Sequence, residues 1–279
     1  MVFMSIKKYL ETIEDLSNRK IAITGATSGI GLALTRHLAK KGAKVVLLAR
    51  NPQKAKEVQD ELKECVVDIV IYDQSSFKSI ERGIDILLKN HPDIDTYVLN
   101  AGVLGEKGLT EDGYASTIAI NYLGVRHFIE YISPKIKTNI RFVIQGSIVA
   151  GLKLKEKDFK DPKIGFFDQY NISKIYVEAY FYHLLTKNEY PNIEYILTEP
   201  GISATRVIRN FNRLIRVLGK GFLTVFFHSP KKACLPLLKG IDRNTPNGSY
   251  IVPCGLFTMG GYPKIKEFPN KRKREYLFK

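Results

Sequence analysis

Short apolar runs alternate with helix-length amphipathic stretches along the whole chain. Residues 20–24, 44–49, 66–72, 96–99, 140–145 and 193–198 are rich in Val, Ile, Leu and Tyr. Runs this short and this continuously apolar predict strands buried on both faces. Between the first two, Ile30, Leu34 and Leu38 recur at fourfold spacing and the pattern stops near Gly42, which predicts a helix. Pro52 suits the first turn of the next helix. Strand–helix alternation implies a parallel sheet with helices on both faces and right-handed crossovers. No internal repeat, low-complexity stretch or linker interrupts it. The expectation is an α/β fold, one doubly wound domain over residues 1–279 around a central parallel sheet.

The first strand runs into Thr24, followed by Gly25-x-x-x-Gly29-x-Gly31 with Thr27, Ser28 and Ile30 between the glycines, and then the helix. Glycines permit positive φ and close backbone approach, and a helix N-terminus offers free N–H groups to a pyrophosphate. The second strand ends at Ala49-Arg50-Asn51, where dinucleotide-binding folds commonly place an acidic residue on the ribose. With no carboxylate there, Arg50 would favour a 2′-phosphate, so NADP(H) is preferred and NAD(H) is the alternative. Its bland counterpart is a solvated strand-end arginine.

Further on, Tyr170-Asn171-Ile172-Ser173-Lys174 puts a phenol and an ammonium four residues apart, on one face of a helix. A nearby ammonium favours phenolate, which would make the Tyr a usable general acid or base. Tyr-x-x-x-Lys by itself is common on helix surfaces. Joined to the glycine-rich turn in an alternating α/β chain, it resembles the short-chain dehydrogenase/reductase family, whose fold is a Rossmann-type domain. The order of motifs behind the resemblance covers nearly the whole chain, up to an end segment, 248–255, that is similar to the family's last strand.

The resemblance implies a division of labour. Residues 18–150 would form mainly the cofactor half, 151–260 mainly the substrate and catalytic half, and 265–279 a basic tail. Asp73 would bond the adenine amino group, and Asn100-Ala101-Gly102 would let the backbone approach the cofactor. Pro200, Gly201 and Thr205 complete the cofactor set. Tyr170 would exchange a proton with the substrate oxygen, while Lys174 would lower the pKa of Tyr170 and bond the nicotinamide ribose. Ser147 would donate to the same substrate oxygen, and Asn121 would hold a water linking Lys174 to solvent. The stretch from Ser147 to Tyr170 is longer than the family's commonest arrangement. With Ser229-Pro230-Lys231-Lys232 it looks like the retinol-dehydrogenase-like branch, which includes reductases of lipophilic carbonyls. Pairing as a homo-oligomer, dimer or tetramer, is also implied.

Arg206, Arg209, Arg213 and Arg216 fall on one side of a predicted helix, opposite Val207, Ile208, Phe211, Leu214, Ile215 and Leu218. That stretch, 206–227, reads as a core-packed helix with solvated arginines, a lid over a lipophilic or aromatic substrate, or a peripheral membrane contact.

Composition narrows the field. The 279 residues are 44% hydrophobic, and no apolar run approaches a membrane span. Residues 1–18 hold no signal-peptide core, and Cys65, Cys234 and Cys254 stand far apart, so a cytoplasmic protein with reduced thiols is expected. The net charge of +15 is spread along the chain apart from Lys271-Arg272-Lys273-Arg274, without any nucleic-acid signature, so no nucleic acid is expected. Five scattered histidines predict no metal, and no Ser-His-Asp elbow supports hydrolysis. The sequence therefore points to hydride transfer between nicotinamide and a carbonyl or alcohol. The competing readings are a non-catalytic NADP(H)-binding sensor or scaffold and reduction of a C=C bond.

Overall fold

The structure, a computed structural model, describes residues 5–151, 159–161, 163–201, 229–255, 258, 260–270 and 277. Thr205, the arginine-bearing stretch 206–227, residues 152–158 and 162 of the Ser147–Tyr170 insert and the basic cluster 271–274 lie outside the described residues.

Eight described strands form one sheet: β1 (Lys20–Thr24), β2 (Lys44–Ala49), β3 (Val66–Ile71), β4 (Thr96–Leu99), β5 (Ile140–Gln145), β6 (Ile193–Thr198), β7 (Tyr250–Pro253) and β8 (Pro263–Lys266). Their order is β3-β2-β1-β4-β5-β6-β7-β8. All neighbours are parallel except β7 and β8, which pair antiparallel. The antiparallel edge was not expected from the sequence, and it draws Ile265 and Lys266 out of the predicted tail into the sheet.

The helices are α1 (Ile6–Glu11), α2 (Gly29–Lys40), α3 (Pro52–Glu61), α4 (Phe77–Asn90), α5 (Ser116–Ile118), α6 (Gly124–Ile132), α7 (Phe166–Lys187), α8 (Pro230–Ala233) and α9 (Leu235–Ile241). Strand residues alternate between two cores, one on each face of the sheet. Ala22, Tyr97, Leu99, Phe142 and Ile144 meet Ile84 and Leu87 of α4, Phe128 of α6 and Phe181 of α7. Ile21, Ile23, Val98 and Val143 meet Tyr9 of α1, Leu34 and Leu38 of α2 and Leu238 of α9. Because both faces are covered, the strands read as unbroken apolar runs.

The order of strands reverses between β1 and β4, which leaves a crevice beyond their carboxyl ends. Three turns converge there: Gly25–Ser28 after β1, Asn100–Gly102 after β4, and Gly146-Ser147 after β5. Among the described residues, no helix is long and apolar enough to cross a membrane.

Candidate active site

The glycine-rich turn is held by its neighbour across the switch point. Asn100 Nδ2 donates to Thr24 O at 2.9 Å and to Gly25 O at 3.3 Å. In return Thr24 Oγ1 accepts from the backbone N–H groups of Asn100 at 3.1 Å and Ala101 at 3.0 Å. Gly25 has φ +69°, and a Cβ there would sit 2.9 Å from Ala101 Cα. At Gly31 a Cβ would run into Gly25 O. Only glycine lets the loop lie this close to α2, whose first-turn N–H groups then face the crevice. The residues present fit a dinucleotide pyrophosphate: a cradle that side chains would fill, at the positive end of a twelve-residue helix.

On the other side of the crevice, α7 carries Tyr170 and Lys174 one turn apart. Tyr170 OH donates to Ser147 Oγ at 3.4 Å, long enough for both hydroxyls to address one oxygen between them. Lys174 is buried, and its ammonium donates to Gln145 O at 2.9 Å while lying 6.0 Å from the Tyr170 ring centroid. Burial pushes the Lys174 ammonium down to about 8, opposed by the Glu178 carboxylate. Tyr170 does not show the lowered pKa expected from the Tyr–Lys spacing. Burial raises it and the Glu199 carboxylate adds to the rise, while the Ser147 hydrogen bond opposes. Desolvation outweighs the ammonium because Lys174 turns its charge to a backbone carbonyl rather than to the phenol.

Asn121 occupies a π-helical turn, Ala119–Leu123, between α5 and α6. Such one-turn distortions often mark functional positions. Its amide clips Val103 from both sides: Oδ1 accepts from Val103 N at 2.8 Å and Nδ2 donates to Val103 O at 2.9 Å. Nδ2 also donates to Ser173 Oγ at 3.2 Å. The side chain thus fixes the loop after β4 against α7, instead of reaching Lys174 directly.

One cleft of about 760 Å³ runs through all of this. Gly25, Thr27, Ser28, Gly29, Ile30, Gly31, Arg50, Asp73, Asn100, Ala101, Gly102, Ser147, Tyr170, Lys174, Pro200 and Gly201 all line it. Asn121 sits just behind the wall, and Thr205 lies outside the described residues. A family model, short chain dehydrogenase, matches residues 19–214. The chain belongs to the short-chain dehydrogenase family.

An oxidoreductase of Schizosaccharomyces pombe, itself uncharacterised, is 27% identical over 263 residues, covering 85% of this chain and 78% of the relative. Four further relatives match over 35–53% of their own length. A solved structure from Mycobacterium paratuberculosis superposes with TM-score 0.75 at 21% identity, over 96% of this chain and 92% of that one. An alcohol dehydrogenase from Thermococcus sibiricus, complexed with 5-hydroxy-NADP, superposes with TM-score 0.60 at 20% identity, over 82% and 91%. At these identities the two structures speak for the fold alone.

This short-chain dehydrogenase builds its cleft from further residues that the sequence did not single out. Gln74 Nε2 donates to Ile120 O at 2.6 Å and Ala101 O at 3.3 Å, bridging the π-helical turn to the loop after β4. Lys54 lines the cleft near Arg50, its backbone N–H capped by Asn51 Oδ1 at 2.9 Å. An apolar wall of Val103, Leu104, Ile148, Val149 and Phe167 flanks the Ser147–Tyr170 end. Phe167 precedes Tyr170 by three residues on α7, so helical spacing could have placed it on the same face. The remainder come from separate loops and left no periodic signal.

Proposed function

We propose that the protein is an NADP(H)-dependent oxidoreductase that moves hydride between the nicotinamide and a carbonyl or alcohol carbon of a lipophilic or aromatic substrate. The observation that carries this reading is the continuity of the cleft. It joins the glycine cradle and Arg50 at one end to Ser147, Tyr170 and Lys174 at the other, within one volume of about 760 Å³. Arg50 and Lys54 supply two cations at the ribose end, which suit a 2′-phosphate. The apolar wall beside Tyr170 suits a lipophilic substrate. Phe167, 52% exposed, adds an aromatic side chain to that wall.

When bound, the nicotinamide supplies or accepts the hydride. The chain's own residues handle the proton. Tyr170 OH gives its proton to the substrate oxygen in reduction and takes it back in oxidation. Ser147 Oγ donates to the same oxygen and stabilises its growing negative charge. Lys174 stands behind the phenol as a cation, held by Gln145 O, and favours the phenolate left when the proton has gone. Asn121 keeps the loop after β4, and with it Val103, at the cleft wall.

Fluorescence titration of the purified protein with NADPH and NADH side by side tests the cofactor end. NADPH is expected to bind at least about tenfold more tightly, the discrimination of one charge-assisted contact. Equal affinity would remove the argument from Arg50. A panel of aromatic and aliphatic ketones with NADPH tests the other end, and absence of turnover across it would overturn the catalytic reading.

A further inference from the structure

One buried charge beside the cleft has no part in the proton transfer as described. Glu178 lies one turn beyond Lys174 and two beyond Tyr170 on α7, and it is 1% exposed. A Cβ at Gly146 would stand 3.2 Å from Glu178 Oε1 and 3.3 Å from Leu197 Cδ1, so the carboxylate is packed against the backbone where β5 and β6 end. Gly146 is flanked by Gln145, whose carbonyl takes the Lys174 ammonium, and by Ser147, whose hydroxyl meets Tyr170. An ionised carboxylate is costly to bury unless opposite charge lies near, and an ammonium is equally costly. Two such groups one turn apart on one helix face offset each other's burial.

We propose that Glu178 is a positioning residue of the reaction, the buried counter-charge that keeps Lys174 an ammonium against the Gln145 carbonyl. The proposal rests on the reading of Tyr170 and Lys174 as the proton-transfer pair. It also gives Gly146 a purpose: any side chain there would press on the carboxylate. The Lys174 ammonium is lowered by burial and raised by Glu178, which agrees in direction. Other groups among the described residues also face this site. Tyr170 shares α7, Glu199 at the end of β6 acts on Tyr170, and the π-helical turn contributes the uncharged Asn121 and Tyr122. Glu178 is thus the carboxylate whose charge acts on Lys174 from its own helix.

The test uses Glu178→Gln and the near-isosteric Glu178→Met, either of which removes the charge if the other does not fold. In each, the pH dependence of ketone reduction is measured with NADPH. Separately, the Lys174 ammonium is titrated by NMR of protein carrying ¹³Cε-lysine, with Lys174→Arg assigning the signal. The alkaline limb of the rate profile and the Lys174 titration are both expected to move down by about one pH unit, the reach of one neighbouring charge. At pH 8.5 the variants then lose several-fold more activity, relative to the native protein, than at pH 6.5. A merely structural role would scale the rate equally at every pH and leave the Lys174 titration in place, and that result overturns the proposal. A limb that moves while the Lys174 signal does not also overturns it. If the native protein reduces no ketone, the catalytic reading fails, and the NMR titration still decides whether Glu178 sets the charge of Lys174.

Discussion

A phenol is a weak acid at neutral pH, and burial makes Tyr170 weaker still in this cleft. The chemistry proposed for it therefore leans on its neighbours at the moment of transfer, and the geometry names them. Tyr170→Phe removes the only proton at that position. It should lower kcat by about 10²–10⁴-fold, the usual contribution of a general acid, while NADPH affinity by fluorescence changes less than about twofold. Ser147→Ala leaves the proton donor and removes one hydrogen bond to the developing charge, so a smaller loss, about 10²–10³-fold, is expected. If Ser147→Ala cost more than Tyr170→Phe, the assignment of donor and stabiliser would be reversed. Lys174 adds a pH dependence with a definite sign. Its ammonium, pushed down to about 8, is present below that pH and lost above it. The rate of reduction should accordingly fall as pH rises through about 8, and a rate flat to pH 10 would contradict the role given to the cation.

Elements place these residues where their chemistry can work, and they differ in how much of that placement the sequence carried. The first six strands were legible because helices cover both faces of the sheet, so most positions of each strand are apolar. Helix α2 was legible through Leu34 and Leu38, which face one core, and through the glycines at its start. Helix α7 was not legible by periodicity. From Ile172 to Phe181 nearly every residue is buried, so no polar face alternates with an apolar one. Only the Tyr–Lys spacing marked it. The π-helical turn at Asn121 left no sequence trace, nor did the clip it makes on Val103, because both depend on contact with a loop eighteen residues away. Helix α1 was missed because it is short, and strand β8 because it is a mostly exposed edge strand, Pro-Lys-Ile-Lys, with no apolar run. At the element scale, Gly31→Ala is the sharpest perturbation. Its Cβ would collide with Gly25 O, so either α2 or the turn must move. Cofactor affinity should fall at least about tenfold, with thermal stability reduced by about 1–3 kcal/mol, as for an overpacked site. Unchanged NADPH binding in a folded Gly31→Ala would mean that the turn does not hold the pyrophosphate.

Across the whole molecule, binding and stability are anchored at opposite ends of the sheet. The cleft opens at the carboxyl ends of the strands, whereas a lattice of charges closes the amino ends. Arg141, 1% exposed in β5, donates to the carbonyls of Gly240 at 3.0 Å, Asp242 at 2.7 Å and Thr245 at 2.8 Å, and to Glu194 Oε2 at 2.8 Å. Arg243 shares Glu194 at 3.0 Å, and Arg19 joins Asp95 at 2.6 Å to Glu14 at 2.8 Å. One guanidinium thus satisfies three backbone carbonyls of the segment that leads from α9 into β7. Methionine in its place would fill the volume but leave the Gly240 and Thr245 carbonyls without their donor, while Glu194 keeps Arg243 and the Asp242 carbonyl keeps the Thr245 N–H. Arg141→Met should cost about 2–6 kcal/mol, about 1–3 for each of the two buried carbonyls left unpaired. At roughly 2–4 °C per kcal/mol that lowers Tm by about 4–24 °C. NADPH affinity of the folded variant should stay within about twofold, since three residues of β5 separate the change from Gln145 and the cleft. Arg50→Asp should behave in the opposite way. Arg50 is exposed at the cleft rim, so stability should change by less than about 0.5 kcal/mol. Preference between NADPH and NADH should nevertheless invert, because a carboxylate repels a 2′-phosphate and accepts from ribose hydroxyls. Measuring Tm and both cofactor affinities on the two variants separates the two ends. A loss of NADPH binding in Arg141→Met equal to that in Arg50→Asp would show that the charge lattice and the cleft are coupled through the sheet.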